Sequence, residues 1–204
     1  VSGVTGSAFR MVGPIYGVAV GLNVHQIAVF LATYVAGGWS AQLPIGWLAD
    51  RFDRRRVLIG LSLGAIVACG ATVVLSHMGT WGVLAAAAMF GFTTFPIYSV
   101  SSAHGHDFAR ADQRVELSAA QMFLYAVGAI ASPLIASTLI TVSGPASMFA
   151  FIALVHLALL IFGFARMQAR PPRMERTRFV TEPRTSFLIG RLGKGLRDAP
   201  EEGQ

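Results

Sequence analysis

The chain has 204 residues, of which 54% are hydrophobic and only 13% are charged. Soluble domains normally carry about 25% charged residues, so this composition excludes an ordinary soluble enzyme and a disordered chain. A net charge of +6 can indicate a nucleic-acid partner, but the distribution of these charges along the chain argues against one.

The charged residues leave three long uncharged stretches, residues 11–49, 57–106 and 117–165. A membrane-spanning helix needs about 20 apolar residues, so each stretch accommodates two spans joined by a short turn. We therefore predict an all-α membrane protein with six transmembrane helices, the first of which begins before its clearly apolar part. The predicted spans are residues 8–22, 27–49, 57–75, 81–103, 117–142 and 146–165.

The basic residues predict the orientation. The loop 50–56 contains four of them, the loop 104–115 two, and the tail 166–204 nine, whereas the turns between the paired spans contain no Lys or Arg. Basic residues near span ends mark the cytoplasmic side. We therefore expect both loops and the tail to be cytoplasmic, and residues 1–165 to form the six-span transmembrane region.

The tail 166–204 changes composition abruptly and has no long apolar periodicity. We expect it to be largely disordered. As an alternative for its last part, residues 187–192 could form a short helix on the membrane surface.

The charged loop between the second and third spans combines a glycine, an acid and a run of arginines. The glycine allows close helix packing, the acid could meet arginines or a helix N-terminus, and the arginines favour the anionic cytoplasmic leaflet. This segment resembles the loop signature of the major facilitator superfamily, G-x-L-a-D-r-x-g-r-r, except that Asp53 stands at a common glycine position. The matching residues, predicted to form a gating loop, are Gly46, Asp50, Arg51, Arg54, Arg55 and Arg56.

Further segments resemble the YcaD-like branch of that superfamily, a group of bacterial transporters. The resemblance covers nearly the whole chain, although Arg10 and His106 depart from the residues expected there. The matching segments are residues 13–16, 42–46, 95–99, 103–104, 125–130, 133–134, 155–157, 179–180 and 183–186.

This resemblance implies the C-terminal six-helix half, spans seven to twelve, of a carrier in the bacterial inner (plasma) membrane. Such a carrier moves a small-molecule solute by alternating access, as a secondary active or facilitative transporter, and its charged loop latches helices in one conformation. The partners it implies are the lipid bilayer and a missing N-terminal six-span half, or a second copy of this chain. It implies no cofactor, no metal and no nucleic acid.

Two other functional classes are considered. The chain could be a membrane-embedded interaction or scaffold protein that does not transport. An intramembrane enzyme would need a catalytic pair at membrane depth, and neither a Ser/His nor a paired-carboxylate arrangement is evident, so we predict that the chain is not an enzyme. The G-x-S-x-G pattern at residues 60–64 is interpreted as a chance match, because that motif requires a strand–turn–helix context.

Arg10 is the only charged residue expected at membrane depth, and such charges are usually functional. It shares a helical face with Gly6, Gly13, Gly17 and Gly21, which suggests that it faces protein and can bind an anionic group. The alternative is that its side chain extends to the cytoplasmic interface.

Polar faces on other spans are further candidates for the substrate pathway, because lipid would not satisfy them. The alternative for each is hydrogen bonding between helices. Besides Arg10, the predicted pathway residues are Gln42, Tyr98, Gln121 and Tyr125.

The histidines and loop acids have weaker signals. His156 lies within the sixth span, where a packing role is favoured over a proton relay. A metal site at His104, His106 and Asp107 is a weak possibility. We instead expect Asp107 and Glu116 to contact the arginines of the loop 50–56. Spans two to six contain no acid at membrane depth, so a proton-coupling carboxylate would lie elsewhere.

Overall fold

A computed structural model of the chain describes residues 1–169, which form α-helices joined by short turns and contain no strand. The all-α class is therefore confirmed, whereas the predictions for the tail from residue 170 onward lie outside the described residues. The helices are α1 (Ser2–Ala19), α2 (Val24–Arg51), α3 (Arg54–Leu75), α4 (Thr80–Thr94), α5 (Pro96–His106), α6 (Arg114–Ser143) and α7 (Ala146–Ala169), with 3₁₀ turns at Ser76–Met78 and Ala111–Gln113.

Local side-chain chemistry explains where several helices begin. Asn23 and Gln26 form a reciprocal capping box at the start of α2, each side chain bonding the other's main-chain N–H at 2.9 Å. Asp53 caps α3, because its carboxylate accepts a hydrogen bond from the Arg55 N–H at 3.0 Å. Such caps satisfy donors that the first helical turn leaves without a partner.

The loops predicted on the charged side are shorter than expected. In the segment 50–56, α2 continues through Arg51 and α3 starts at Arg54, so only two residues lie outside helices. In the segment 104–115, α5 extends to His106. The expectation of longer loops was wrong because charged and polar residues are well tolerated in the end turns of helices. In addition, the cap at Asp53 lets α3 begin at Arg54, before the predicted start at residue 57.

The fourth predicted span consists of two helices. Between α4 and α5, Phe95 is followed by Pro96 at the first position of α5. Proline has no N–H to donate, so a main-chain hydrogen bond is missing at Pro96, although Phe95 keeps helical dihedral angles (φ −60°, ψ −46°). Pro14, Pro44 and Pro133 lie inside continuous helices.

Four helical stretches among the described residues are long and apolar enough to cross a membrane. The helices α1 and α2 are not among these four. That they also cross the membrane stays a prediction. The four stretches are Arg54–Met78, Thr80–His106, Arg114–Ser143 and Ala146–Gln168.

The main helix pairs are α2 with α4, α1 with α6, and α3 with both α7 and α4. Glycines permit the closest approaches. A Cβ added at Gly91 would collide with the Tyr34 carbonyl oxygen on α2, and one added at Gly3 would collide with the Tyr125 carbonyl oxygen on α6. The small residues therefore place α1 and α2 against α6 and α4 at main-chain distance.

An aromatic cluster forms the core of the bundle. The fully buried Phe9 of α1 lies 4.2 Å from the ring of Tyr34, and 5.0 Å from the rings of both Phe30 and Phe90, between ring centroids. Phe149 of α7 meets Phe9 edge-on at 6.4 Å. These contacts between aromatic rings hold α1, α2, α4 and α7 together.

Helix α6 is covered far less than the α4–α5 stretch. In their most apolar windows, 11% of the α6 residues are buried against 50% of the α4–α5 residues. Most of α6 therefore presents apolar side chains to whatever surrounds these 169 residues.

Candidate functional site

A cavity of about 330 Å³ lies between α1, α2, the α4–α5 pair and α6. Four of the five predicted pathway residues line it, which are Arg10, Gln42, Tyr98 and Tyr125. These residues come from four helices that are far apart in sequence, so the fold brings together what the helical faces only suggested. The full lining consists of Ser2, Gly6, Arg10, Tyr34, Gln42, Thr94, Phe95, Tyr98, Ser99, Met122 and Tyr125.

Arg10 is held by two hydrogen bonds to uncharged groups. Its Nε–H donates to the Gly6 carbonyl at 3.0 Å, and its Nη2 donates to the Tyr125 hydroxyl at 2.9 Å. The guanidinium lies over Gly6, where an added Cβ would be 3.1 Å from Nη2. Its side chain therefore faces the neighbouring helices, as the sequence predicted, and joins α1 to α6.

Aromatic and amide side chains form the remaining wall. The rings of Tyr98 and Tyr125 meet edge-to-face at 5.6 Å, and Tyr34 meets Phe95 in the same way at 5.2 Å. Gln42 accepts a long hydrogen bond of 3.4 Å from the Ser99 hydroxyl. The cavity thus combines one cation and several neutral polar groups with broad apolar surface.

Gln121, the fifth predicted pathway residue, does not line this cavity. Its Oε1 accepts a hydrogen bond from the Ser102 hydroxyl at 2.8 Å, and an added Cβ at Gly105 would be 2.7 Å from its Nε2. Gln121 therefore connects α5 and α6, which is the interhelical role that the sequence left open as an alternative.

Several lining residues, among them Phe95, Ser99 and Met122, were not predicted as pathway residues. Phe95 and Ser99 flank Pro96, and Met122 lies one turn before Tyr125 on α6. A three-residue helical step from Tyr125 would have identified Met122.

A second group of charged residues lies where α2, α3 and α5 end or begin. Arg54 contacts the Asp107 carboxylate at 2.7 Å and the Asp50 carboxylate at 3.2 Å, and it donates to the Ala103 carbonyl at 2.9 Å. We call Asp50, Arg54 and Asp107 the Arg54 cluster. The expected contact between Asp107 and the arginines is therefore present, whereas Glu116 takes part in none of the salt bridges found within residues 1–169.

The other residues of the predicted gating loop have different surroundings. Arg51 lies 4.8 Å above the Trp47 ring and Arg55 lies 5.8 Å from the Phe108 ring. Arg56 lines a separate, more apolar cavity of about 390 Å³ between α2, α3 and α4. A Cβ at Gly46 would meet nothing within 4 Å, so the expected close packing at this glycine is not found among the described residues.

The loop histidines do not converge on one point. His106 is hydrogen-bonded through Nδ1 to the Ser102 carbonyl at 2.8 Å and through Nε2 to the Ser118 hydroxyl at 3.2 Å, while Asp107 is engaged by Arg54. Within residues 1–169, no group of three or more His, Cys, Asp or Glu side chains could hold a metal ion.

His156 and the G-x-S-x-G pattern both lie in helix contacts. His156 is fully buried on α7, with Nε2 3.0 Å from the Thr5 hydroxyl of α1. Ser62 donates to the Leu58 carbonyl one turn earlier in α3, at 2.8 Å. Both arrangements are those of packing residues in helices.

Comparisons with known proteins agree with the sequence motifs. The family model of the Major Facilitator Superfamily matches residues 1–199. An uncharacterised MFS-type transporter of Yersinia enterocolitica is 27% identical over 180 residues, which are 88% of this chain and 44% of that protein. The uncharacterised MFS-type transporter YcaD of Escherichia fergusonii is 29% identical over 133 residues, which are 65% of this chain and 34% of that protein. These matches confirm the resemblance to the superfamily and to YcaD.

A relative from Yersinia pestis, also an uncharacterised MFS-type transporter, is 28% identical over 178 residues and is covered over 44% of its length. The chain thus spans less than half the length of the curated relatives it matches.

Proposed function

Because the chain belongs to the Major Facilitator Superfamily, we propose that it forms one six-helix half of a carrier that moves a small solute by alternating access. The family and the apolar helices indicate a multi-pass membrane protein with a transport role and not an enzyme. The observation that supports the proposal most is the cavity around Arg10, in which residues from α1, α2, α4, α5 and α6 meet.

In this proposal residues 1–165 correspond to spans seven to twelve of a twelve-span carrier in the bacterial inner membrane, followed by a cytoplasmic tail, residues 166–204. Two observations support a second six-span half as the partner. The match covers only 44% of the length of a relative, and most of the α6 surface is uncovered in this chain. That half is either part of the same product or a second copy of this chain.

The proposed pathway passes through the cavity, with Arg10, Gln42, Tyr98 and Tyr125 in contact with the solute. Gln121 has a supporting role, since it fixes α5 against α6 through Ser102. Pathway residues of a carrier must contact solute from both sides of the membrane in turn, and polar groups without lipid contact suit that requirement.

The Arg54 cluster is proposed to latch the cytoplasmic ends of α2, α3 and α5 in one conformation. Arg54 contacts groups on two other helices, Asp50 of α2 and the end of α5. A relative movement of these helices would therefore have to break charge-assisted hydrogen bonds. The loops 50–56 and 104–115 are cytoplasmic in this arrangement, as their basic residues predict.

Thiol labelling tests alternating access without knowledge of the solute. Gln42→Cys would be introduced into the native product in a Cys69→Ala background free of other cysteines. We expect a membrane-impermeant methanethiosulfonate to label it in both right-side-out and inside-out vesicles. The matched control is Leu154→Cys, on an exposed apolar part of α7 (64% exposed), which should be labelled in neither.

Labelling of Gln42→Cys from one side only would contradict alternating access and favour a non-transporting interaction or scaffold protein. An antibody against residues 180–204 separately tests the partner. A band at about twice 21.7 kDa in native membranes supports a twelve-span product, whereas a band near 21.7 kDa requires cross-linking to find a second copy.

A further inference from the structure

The cavity contains one positive charge that no described carboxylate neutralises. Arg10 is the only charged residue in its lining, and none of the salt bridges within residues 1–169 involves it. In the proposed carrier Arg10 lies within a membrane span, where a guanidinium without an opposite charge is costly. The charge balance of the cavity therefore favours a ligand that carries one negative charge.

Arg10 also has hydrogen-bond donors that are not used within the described part of the chain. A guanidinium has five N–H groups, of which Nε uses one toward Gly6 and Nη2 uses one toward Tyr125. The remaining donors are on Nη1 and Nη2. These two nitrogens form the fork that binds a carboxylate through two parallel hydrogen bonds.

The rest of the lining determines the shape and polarity of the ligand. The rings of Phe95, Tyr98 and Tyr125, with Met122, form a largely apolar wall beside the guanidinium. A volume of about 330 Å³ is at the small end of small-molecule sites. A carboxylate with a compact apolar or aromatic body satisfies the charge, the fork and the wall together.

We infer that the solute of this cavity is a small monocarboxylate with an apolar body, bound through its carboxylate to Arg10. This inference rests on the proposed function, because it names the solute class of the same cavity. The hydroxyl of Tyr125 orients the guanidinium toward α6, and the aromatic wall contacts the body of the solute.

The test compares each acid with its own amide, which has nearly the same shape but no charge. The native product in lipid nanodiscs at pH 7 would be unfolded thermally with acetate, butyrate, benzoate and octanoate, and with the four amides. A ligand that binds the folded protein raises the unfolding temperature according to its affinity. We expect at least one acid to bind about tenfold or more tightly than its amide, as charge-assisted hydrogen bonds predict.

Three variants assign the preference to Arg10. Arg10→Gln should abolish the preference for acid over amide, and Arg10→Lys should retain part of it, because the charge remains while the fork is lost. Arg10→Lys also keeps the test decisive if Arg10→Gln does not fold. Arg114→Gln, at an exposed arginine outside the cavity at the start of α6, is the matched control and should behave as the unmodified protein.

The solute class is overturned if no acid binds more tightly than its amide, or if the preference persists in Arg10→Gln. Uptake of the preferred acid and its amide into proteoliposomes distinguishes this failure from failure of transport itself. Binding that depends on Arg10 without uptake would keep the ligand class and contradict transport. Uptake of the acid no faster than uptake of its amide, in the unmodified protein as in Arg10→Gln, would keep transport and contradict the ligand class.

Discussion

Two arginines of this chain occupy opposite electrostatic surroundings. Arg54, at the junction of three helices, contacts the carboxylates of Asp107 and Asp50 at 2.7 Å and 3.2 Å. Arg10, inside α1, contacts a hydroxyl and a main-chain carbonyl and has no acidic partner among the described residues. The same side chain is thus neutralised in one place and left charged in the other.

The difference separates a structural contact from a binding group. A neutralised arginine fixes the distance between helices and has little attraction left for a ligand. An arginine without an acidic partner among the described residues retains that attraction. Changes at Arg10 should therefore affect solute uptake most, and changes around Arg54 should affect stability and rate by smaller amounts.

The largest expected effect comes from giving Arg10 an acidic partner, as Arg54 has. In Tyr125→Glu the new carboxylate replaces the hydroxyl beside Nη2 and competes with an anionic solute. We expect uptake of the preferred carboxylate to fall about 100-fold, the upper range for a charge-assisted contact. Tyr125→Gln is the matched neutral control and should lose only a few-fold in the same proteoliposome assay, on the order of a neutral hydrogen bond. Equal losses in the two variants would show that the charge of Arg10 is unimportant.

The next largest effect, on the unfolding temperature, is expected from the removal of Arg54, the arginine with acidic partners. Arg54→Gln removes the cation that contacts both carboxylates, but these groups are partly exposed, with 17% exposure at Arg54 and 37% at Asp50. Solvent screening limits the cost to about 1 kcal/mol, which corresponds to a fall of about 2–4 °C in the unfolding temperature for a domain of this size. Arg56→Gln, which removes an arginine outside the salt bridges found in residues 1–169, is the control and should leave the unfolding temperature unchanged. An equal fall in both variants would assign the effect to net charge.

A smaller effect is expected from the acids of the Arg54 cluster taken singly. Both Asp107→Asn and Asp50→Asn should slow transport without blocking membrane insertion, by about two- to fivefold for contacts of this exposure. Asp107→Asn should be the more harmful, because its contact is shorter and joins α5 to α3, whereas Asp50 lies one turn before Arg54. Initial uptake rates at matched expression measure both variants. Unchanged uptake in both would contradict a latch at this cluster.

The smallest effect is expected at Gly46, beside the cluster. A Cβ there meets open space, so Gly46→Ala should cause no loss of stability in this chain expressed alone and a slight gain from helix propensity. Gly91→Ala is the contrasting control, since its Cβ would collide with the Tyr34 carbonyl. If Gly46→Ala destabilises the full native product but not this chain, a second half packs on that glycine. Destabilisation of the isolated chain would contradict the open surroundings found for Gly46.

Much of this fold follows from the order of residues along the chain. Long uncharged stretches predicted the apolar helices, and the one charged residue within a predicted span singled out Arg10, because both signals lie within one segment. The pairing of Gln121 with Ser102 did not follow, since a helical period shows which residues share a face but not which neighbouring helix that face meets. The same limit applies to Gly3, whose approach to the main chain of Tyr125 depends on the packing of α1 on α6.

The helix α2 carries both regions, with Gln42 at the cavity and Asp50 in the Arg54 cluster, and Pro44 lies between them. Proline lacks the N–H that would bond the carbonyl four residues earlier, so the helix bends most easily there and the residues beyond it act as a lever arm. From Pro44 to Asp50 the arm is about 9 Å long, and a rotation of about 6° moves its end by about 1 Å. A displacement of that size separates a carboxylate from its hydrogen-bond partner. In the proposed carrier, a small tilt of α2 caused by solute at Gln42 would therefore separate Asp50 from Arg54 at the far end of the same helix.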